Sequence, residues 1–381
     1  MSAGNHDSVK KKPPYEIKLI NGVQGDPGLF CFSPATGDGC LFDAGALEEL
    51  SNRDLLKVRN VFVTHAHIDH LIGFDRFIRV NIPHGRPLNF FGPPSFAKNI
   101  QGKLRGFLWN LLEPGQLSIF VSEIDRGGVV STFQLKNDDH FALHPASPKQ
   151  SPASFVDAPE PVAPVAAVAR LSDQARVEAV VLDHGTPVVG YCVQGPRKFR
   201  VKPESLERLG LTPGPWLGEL QHALASSPGD SSFELAGNAT TLSLIAEKVF
   251  ESSMRRPLAY LTDFIFSRAN LDRIVATMQD VEVLYCEATF KDSHIDRAAA
   301  KKHLTTRQSA LIARLLKAKE LRIFHISNIY HGDVESVLTE ASDFFAAFTS
   351  QSDAEVTQAV AAEFERLDIS LLSPDRQRAD F

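Results

Sequence analysis

Apolar residues along this chain fall into many short, dense runs rather than into long helical stripes. YEIKLINGV (15–23), GLFCFSP (28–34) and GCLFDAG (39–45) are β-rich runs parted by Gly, Pro and Asp, the punctuation of hairpins. NVFVTH (60–65) is continuously apolar until its end, which predicts a strand buried on both faces. PLNFFGP (87–93), LSIFVSEI (117–124), VSTFQLKN (130–137), VEAVVLDH (177–184), PVVGYCV (187–193), PLAYLTDF (257–264), VEVLYCEATF (281–290) and ELRIFHIS (320–327) predict further strands. Strands outnumber helices in the first half and alternate with them in the second, so an α/β fold with two sheets and outer helices is expected. Val334, Val337, Leu338, Ala341 and Phe345 recur at helical spacing, which predicts an amphipathic helix over 333–348.

Two stretches break this rhythm. Residues 145–170, rich in Ala, Pro and Ser, read as an exposed insertion of low order extending to about 175. Residues 195–235 carry their own turn signals and a helical piece around PESLERLG, and read as a protruding arm. The expected organisation is a domain over 13–332 interrupted by both, followed by a helical extension over 333–381.

Composition narrows the classes. The 381 residues, 43% of them hydrophobic, are enough for a large core. The start, MSAGNHDSVKKKPPYE, lacks the apolar segment of a secretory signal, and no run reaches membrane-spanning length, so a cytoplasmic protein with no membrane partner is expected. Four scattered cysteines without a CxxC argue against disulfides and thiolate zinc ribbons. A net charge of −6 excludes a surface that is basic throughout, though not a local basic patch. Such a patch is offered by Arg197, Lys198, Arg200 and Lys202, candidate substrate-binding residues at the base of the arm, before the arm turns acidic with Glu204, Glu207 and Glu219.

The chemistry is concentrated in VFVTHAHIDHLIGF (61–74). Residues two apart on an extended segment point the same way, so His65 and His67 can meet one cation, while Asp69 and His70 reach a second position from the turn. Imidazole and carboxylate are ligands for zinc, manganese or iron. A second cation needs more ligands, and His184, Asp263 and His325 each end an apolar run where a loop begins; His140 and His144 in DDHFALHP rival His184. One metal would take His65, His67, His184 and Asp263, the other Asp69, His70, His325 and the shared Asp263. A pair of cations lowers the pKa of water and clamps the oxygens of a displaced ester, which is hydrolytic machinery.

With these ligands, THAHIDH resembles the metallo-β-lactamase superfamily, which implies a four-layer αβ/βα sandwich. HLIGFDRF followed by NFFGPPS, CEATF (286–290), HLTT (303–306), HISNIY (325–330) and the arm segment LGLTPGPWLGELQ (209–221) are similar to stretches of ribonuclease Z, the endonuclease that trims the 3′ trailer of precursor tRNA. The resemblance spans about 15–332. It implies two divalent ions, zinc first with manganese or iron as alternatives, precursor tRNA as RNA partner, a homodimer, and an exosite role for the arm. It implies Asp69 as general base, and Glu287 orienting His303, which protonates the leaving 3′ oxygen after attack by metal-activated hydroxide. Thr305 and Gln308 form a capping box, so His303 sits just ahead of a helix. The sequence departs from the family at FDAGALEEL, where a DCGEGTQ-like stretch is usual, at Thr262 in place of glycine and at Ile329 in place of arginine. A hydrolase of a cyclic nucleotide, aryl ester or lactone and a non-catalytic binding relative are the alternatives.

Overall fold

The computed structural model describes residues 15–34, 36–146, 166–172, 175–195, 197–226, 231–235, 238–254 and 256–372. Most of the expected insertion at 145–170 lies outside them. They fall into two compact units.

The first unit comprises the described residues up to 146 together with Asp183–Val189 and Phe324–Val334. Its sheet has eight strands in sequence order: β1 (Glu16–Leu19), β2 (Leu29–Phe32), β3 (Gly39–Phe42), β4 (Val58–Phe62), β5 (Leu88–Gly92), β6 (Ser118–Asp125), β7 (Gly128–Lys136) and β8 (His144–Pro145). Pairing is parallel from β3 through β6 and antiparallel on both flanks. That is why the parallel strands are the continuously apolar ones: Leu88–Gly92 is buried at every position. Helices α1 (Asn52–Leu55), α2 (Phe74–Asn81) and α3 (Phe96–Arg105) connect them. Phe74, Phe77 and Ile78 of α2 and Phe96, Ile100 and Leu104 of α3 join Val61, Phe90 and Ile119 in one core. Each such side chain stabilises the fold by about 1.5–3 kcal/mol.

The second unit holds a six-stranded sheet ordered β18-β17-β16-β11-β10-β9. Its strands are β9 (Ala166–Ser172), β10 (Ala175–Asp183), β11 (Pro187–Gln194), β16 (Arg256–Leu261), β17 (Val281–Glu287) and β18 (Glu320–Phe324). The turn between β10 and β11 belongs to the first unit. β16 and β17 are parallel, with Leu261 opposite Cys286. Between β11 and β16 lies the segment expected to form an arm. It consists of β12 (Arg197–Val201), α4 (Pro203–Arg208), α5 (Trp216–Ser226), β13 (Ser232–Leu235), β14 (Asn238–Thr241), α6 (Leu242–Val249) and β15 (Phe250–Met254), with β12 paired to β15. Leu206, Leu220, Leu242, Ile245, Val249 and Phe250 give it a hydrophobic cluster of its own, drawing in residues well beyond 235. Helices α7 (Arg268–Thr277), α8 (Ile295–Lys301), α9 (Thr306–Leu315), α10 (Val334–Thr349) and α11 (Asp353–Leu372) complete the unit. Leu271 and Ile274 of α7, Leu311 of α9 and Phe348 of α10 share a core with Ala259, Leu261 and Leu284. The expected mixed α/β architecture, two main sheets with helices, is therefore the one found. No helix among the described residues is long and apolar enough to cross a membrane.

Candidate metal centre

Parallel strands deliver the ends of their apolar runs to one sheet edge. In the first unit Phe42 of β3 lies opposite Phe62 of β4, and the residues just beyond them, Asp43 and Val63–His65, emerge side by side. Asp43 N–H bonds Phe62 O, and Val63 N–H bonds Phe91 O, each at 2.8 Å. The chain then turns through Ile68–His70, a single 3-10 turn. His184 opens the turn after β10, where Gly185 takes φ +82° and its N–H donates to Asp183 Oδ1 at 2.7 Å. Val189 N–H bonds Thr64 O at 2.9 Å and ties this turn to the His65 segment. His325 follows β18, and Ile326 N–H bonds Val23 O at 2.9 Å.

These placements gather six predicted ligands within the first unit. His65, His67 and His184 form one trio, with ring centroids 4.2 Å apart for His65–His67 and 5.7 Å for each of the others to His184. His65 Nε2 lies 2.7 Å from His67 Nδ1, so the two rings address one point. Asp69, His70 and His325 form the second trio, with Asp69 Oδ2 3.4 Å from His70 Nε2 and 3.3 Å from His325 Nε2. Within each trio the donor atoms lie within 4.8 Å of one another. Five imidazoles and a carboxylate are a borderline donor set suited to zinc, manganese or iron. His140 and His144 stand outside both trios, and His144 pairs with Asp139.

A carboxylate that local sequence patterns did not single out fixes the tautomers. Asp43, fully buried, accepts Thr64 N–H at 2.7 Å and the Thr64 hydroxyl at 3.0 Å, and its Oδ2 lies 2.8 Å from His70 Nδ1. Thr64 Oγ1 in turn lies 3.1 Å from His65 Nδ1. With both Nδ1 atoms turned inward as donors, His65 and His70 keep the Nε2 lone pair for a cation. The same strand-end rule that marks Asp263 would have found Asp43, since it ends the apolar run GCLF. Asp43→Asn presents an amide donor where His70 Nδ1–H needs an acceptor. Affinity for metal is expected to fall about 10–100-fold, checked by competition against a chelator, and an unchanged affinity would remove Asp43 from this role.

The second unit carries the remaining candidates. The register of Leu261 with Cys286 brings Asp263 and Glu287 out at adjacent strand ends. Thr262 Oγ1 donates to Asp263 Oδ1 at 2.9 Å. Glu287, fully buried, accepts Phe264 N–H at 3.0 Å, the Thr289 hydroxyl at 2.8 Å and His303 Nδ1 at 2.8 Å. His303 Nδ1 is also 3.7 Å from Asp263 Oδ1. Two local motifs place His303. Helix α8 ends in a left-handed Lys302 (φ +62°), with Lys302 N–H bonded to Ala299 O and His303 N–H bonded to Ala298 O, a Schellman ending. Two residues later Thr305 opens α9 with the predicted capping box to Gln308. Cys286 next door is no ligand: burial, and then the Glu287 charge, push its thiol well above the usual range.

Asp43, Asp263 and His325 all hold positive φ, at +57°, +54° and +58°. Such backbone costs about 1 kcal/mol or more at each non-glycine residue, and it concentrates here where functional side chains leave the sheets. In the arm, Arg197 and Lys198 belong to β12, but their side chains lie outside the described residues. Arg200 is exposed, and Lys202 Nζ donates to Glu247 O at 3.0 Å.

No family model matches the chain. Individual proteins do. Ribonuclease Z of Deinococcus radiodurans is 30% identical over 312 residues, 81% of this chain and 88% of that protein. Ribonuclease Z of Natronomonas pharaonis is 26% identical over 318 residues, covering 81% and 84%. Zinc phosphodiesterase ELAC protein 1 of Mus musculus is 26% identical over 316 residues, covering 77% and 80%. Likeness of this extent, together with clustered ligands for two divalent ions, means that the chain belongs to the ribonuclease Z-like family of the metallo-β-lactamase superfamily and is a binuclear metal-dependent hydrolase.

Proposed function

We propose that the chain is a phosphodiesterase that trims the 3′ end of precursor tRNA, and that Asp263 supplies the carboxylate shared by the two trios of ligands. The observation that carries this reading is the Glu287–His303 pair, 2.8 Å from carboxylate to imidazole and 3.7 Å from Asp263. A hydrolase of lactones or activated esters has little need of a dedicated proton donor, whereas the 3′ oxygen released from a phosphodiester is strongly basic and must be protonated as it leaves. Two divalent cations, when bound, supply an acidified water and positive charge at the phosphoryl oxygens. Asp69 turns one carboxylate oxygen towards His70 and His325 and takes the proton of the attacking water. Glu287 holds His303 Nδ1–H, and His303 hands the proton on Nε2 to the leaving oxygen. Arg197, Lys198, Arg200 and Lys202 meet the phosphates of the tRNA body, with a binding affinity that falls as salt rises. The D. radiodurans and N. pharaonis relatives bear the name ribonuclease Z, which supports an RNA substrate.

The experiment is incubation with a precursor tRNA bearing a 3′ extension, with the cut mapped to the nucleotide. A single cut at the junction of acceptor stem and trailer is expected. Intact precursor tRNA alongside rapid cleavage of bis(4-nitrophenyl) phosphate would overturn the reading. That outcome would favour a small diester or ester as substrate, a second reading with one observation behind it: Ile329 replaces the family's arginine and is 44% exposed, and Ile68, between His67 and Asp69, is 76% exposed.

A further inference from the structure

Among the described residues, helices α10 and α11 supply no member of either ligand trio, yet α11 carries a buried carboxylate as heavily bonded as Glu287. Glu363, midway along α11, is fully buried. It accepts Arg307 Nε at 3.1 Å, Gln308 Nε2 at 2.9 Å and Arg366 Nη1 at 2.7 Å. A buried charge is costly unless every oxygen is satisfied, and networks of this kind fix one geometry rather than add stability.

What the network fixes is the chain on both sides of His303. Gln308 is bonded at both ends of its amide: Nε2 to Glu363, and Oε1 to Thr305 N–H at 3.0 Å, the capping box that starts α9 two residues after His303. Arg307 is held a second time over the rings of Phe344 and Phe348 in α10, at 5.4 and 5.2 Å. On the other side, Arg366 forms a two-pronged bond to Asp292, at 2.9 and 3.1 Å. Glu340 of α10 takes Asp292 N–H at 2.7 Å and the Thr306 hydroxyl with the same oxygen. Asp292 follows Glu287 by five residues, so the segments bearing the carboxylate and the imidazole are each clamped by the C-terminal helices.

We propose that Glu363 is a positioning residue for His303, acting through Gln308 and the α9 cap, and that the C-terminal helical pair is a built part of the proton-donating apparatus. This rests on the reading of His303 as the proton donor. A displaced donor loses rate steeply, because proton transfer needs hydrogen-bond reach to the leaving oxygen.

The test compares the wild-type chain with Glu363→Gln and His303→Ala, each loaded with metal and checked for metal content. Rates are measured on a dinucleotide, which expels an alkoxide, and on bis(4-nitrophenyl) phosphate, which expels an anion needing no proton. In parallel, the ring nitrogens of 15N-histidine-labelled protein are read by NMR, with the His303 signals identified by their loss in His303→Ala. In Glu363→Gln the His303 Nδ1–H signal is expected to shift or broaden, and kcat on the dinucleotide to fall about tenfold at unchanged KM, with the nitrophenyl ester hardly affected. An unmoved His303 signal, or equal losses on both substrates, would overturn the proposal and leave Glu363 a purely structural residue. A His303→Ala protein with an unaltered ratio of the two rates would instead refute the donor role, while the NMR signal still reports whether Glu363 places the ring. Should Glu363→Gln not fold, Arg366→Met, at a side chain about one-third exposed, carries the same comparison.

Discussion

Replacing Asp263 with Ala is expected to strip both metal ions from the protein, and not one. His65, His67 and His184 belong to the first trio, and Asp69, His70 and His325 to the second, so truncating one of these is expected to weaken mainly the position of its own trio. A carboxylate shared by both positions would behave differently, because losing it would take a donor atom and negative charge from each of them. The backbone at Asp263 suits such a role, since a left-handed residue at the end of β16, with one oxygen held by the Thr262 hydroxyl at 2.9 Å, has little freedom to retreat. Elemental analysis of purified Asp263→Ala should therefore find well under one ion per chain where the parent holds two. Loss of about 4 kcal/mol of transition-state stabilisation corresponds to a fall in turnover of roughly a thousandfold. Two ions retained after the substitution would show that Asp263 bridges nothing. Because Ala also relieves the left-handed backbone less well than Gly, Asp263→Gly is the companion variant that separates ligand loss from strain.

The legible part of this protein is the part written locally. The apolar run into THAHIDH pointed to His65, His67, Asp69 and His70, and the strand-end rule pointed to His184 and His325 more than a hundred residues away, each following the end of a strand, β10 and β18. The capping box at Thr305 could be read from four consecutive residues and is there. Asp43 ends an apolar run as Asp263 does, but its role showed only in the fold, because its bond to His70 spans 27 residues. The Schellman ending that turns out His303 was hidden because it uses Lys302, not the glycine that usually marks a left-handed cap. The role of α11 had no sequence signal at all. In AEFERL a glutamate between apolar residues reads as the solvent face of an amphipathic helix, and its partners Arg307 and Gln308 lie 56 and 55 residues earlier. Long-range charge burial of this sort is set by packing, which no local pattern encodes.

His303→Ala is the variant with the other large expected effect, and its direction depends on what leaves. General acid assistance contributes about 10²–10⁴-fold when the departing oxygen is a poor leaving group. On precursor tRNA or a dinucleotide, His303→Ala should therefore lose on the order of a hundredfold or more in kcat. Bis(4-nitrophenyl) phosphate should suffer far less, since its phenolate departs without a proton. Metal content should stay near that of the parent, because His303 Nδ1 is bonded to Glu287 and lies 3.7 Å from Asp263, and the six histidine and aspartate ligands of the two trios are untouched. The pH dependence offers an independent check. A donor must be protonated to act, so the limb on which the parent's rate falls as pH rises should flatten in the variant. Glu287→Gln should reproduce part of the loss, since an amide can still orient the ring but no longer supports its positive charge at 2.8 Å. If His303→Ala cleaves an unactivated phosphodiester as fast as the parent, His303 donates no proton. The buried Glu287, bonded to Phe264 N–H and Thr289 as well, would then have to be understood as a brace between neighbouring strand ends.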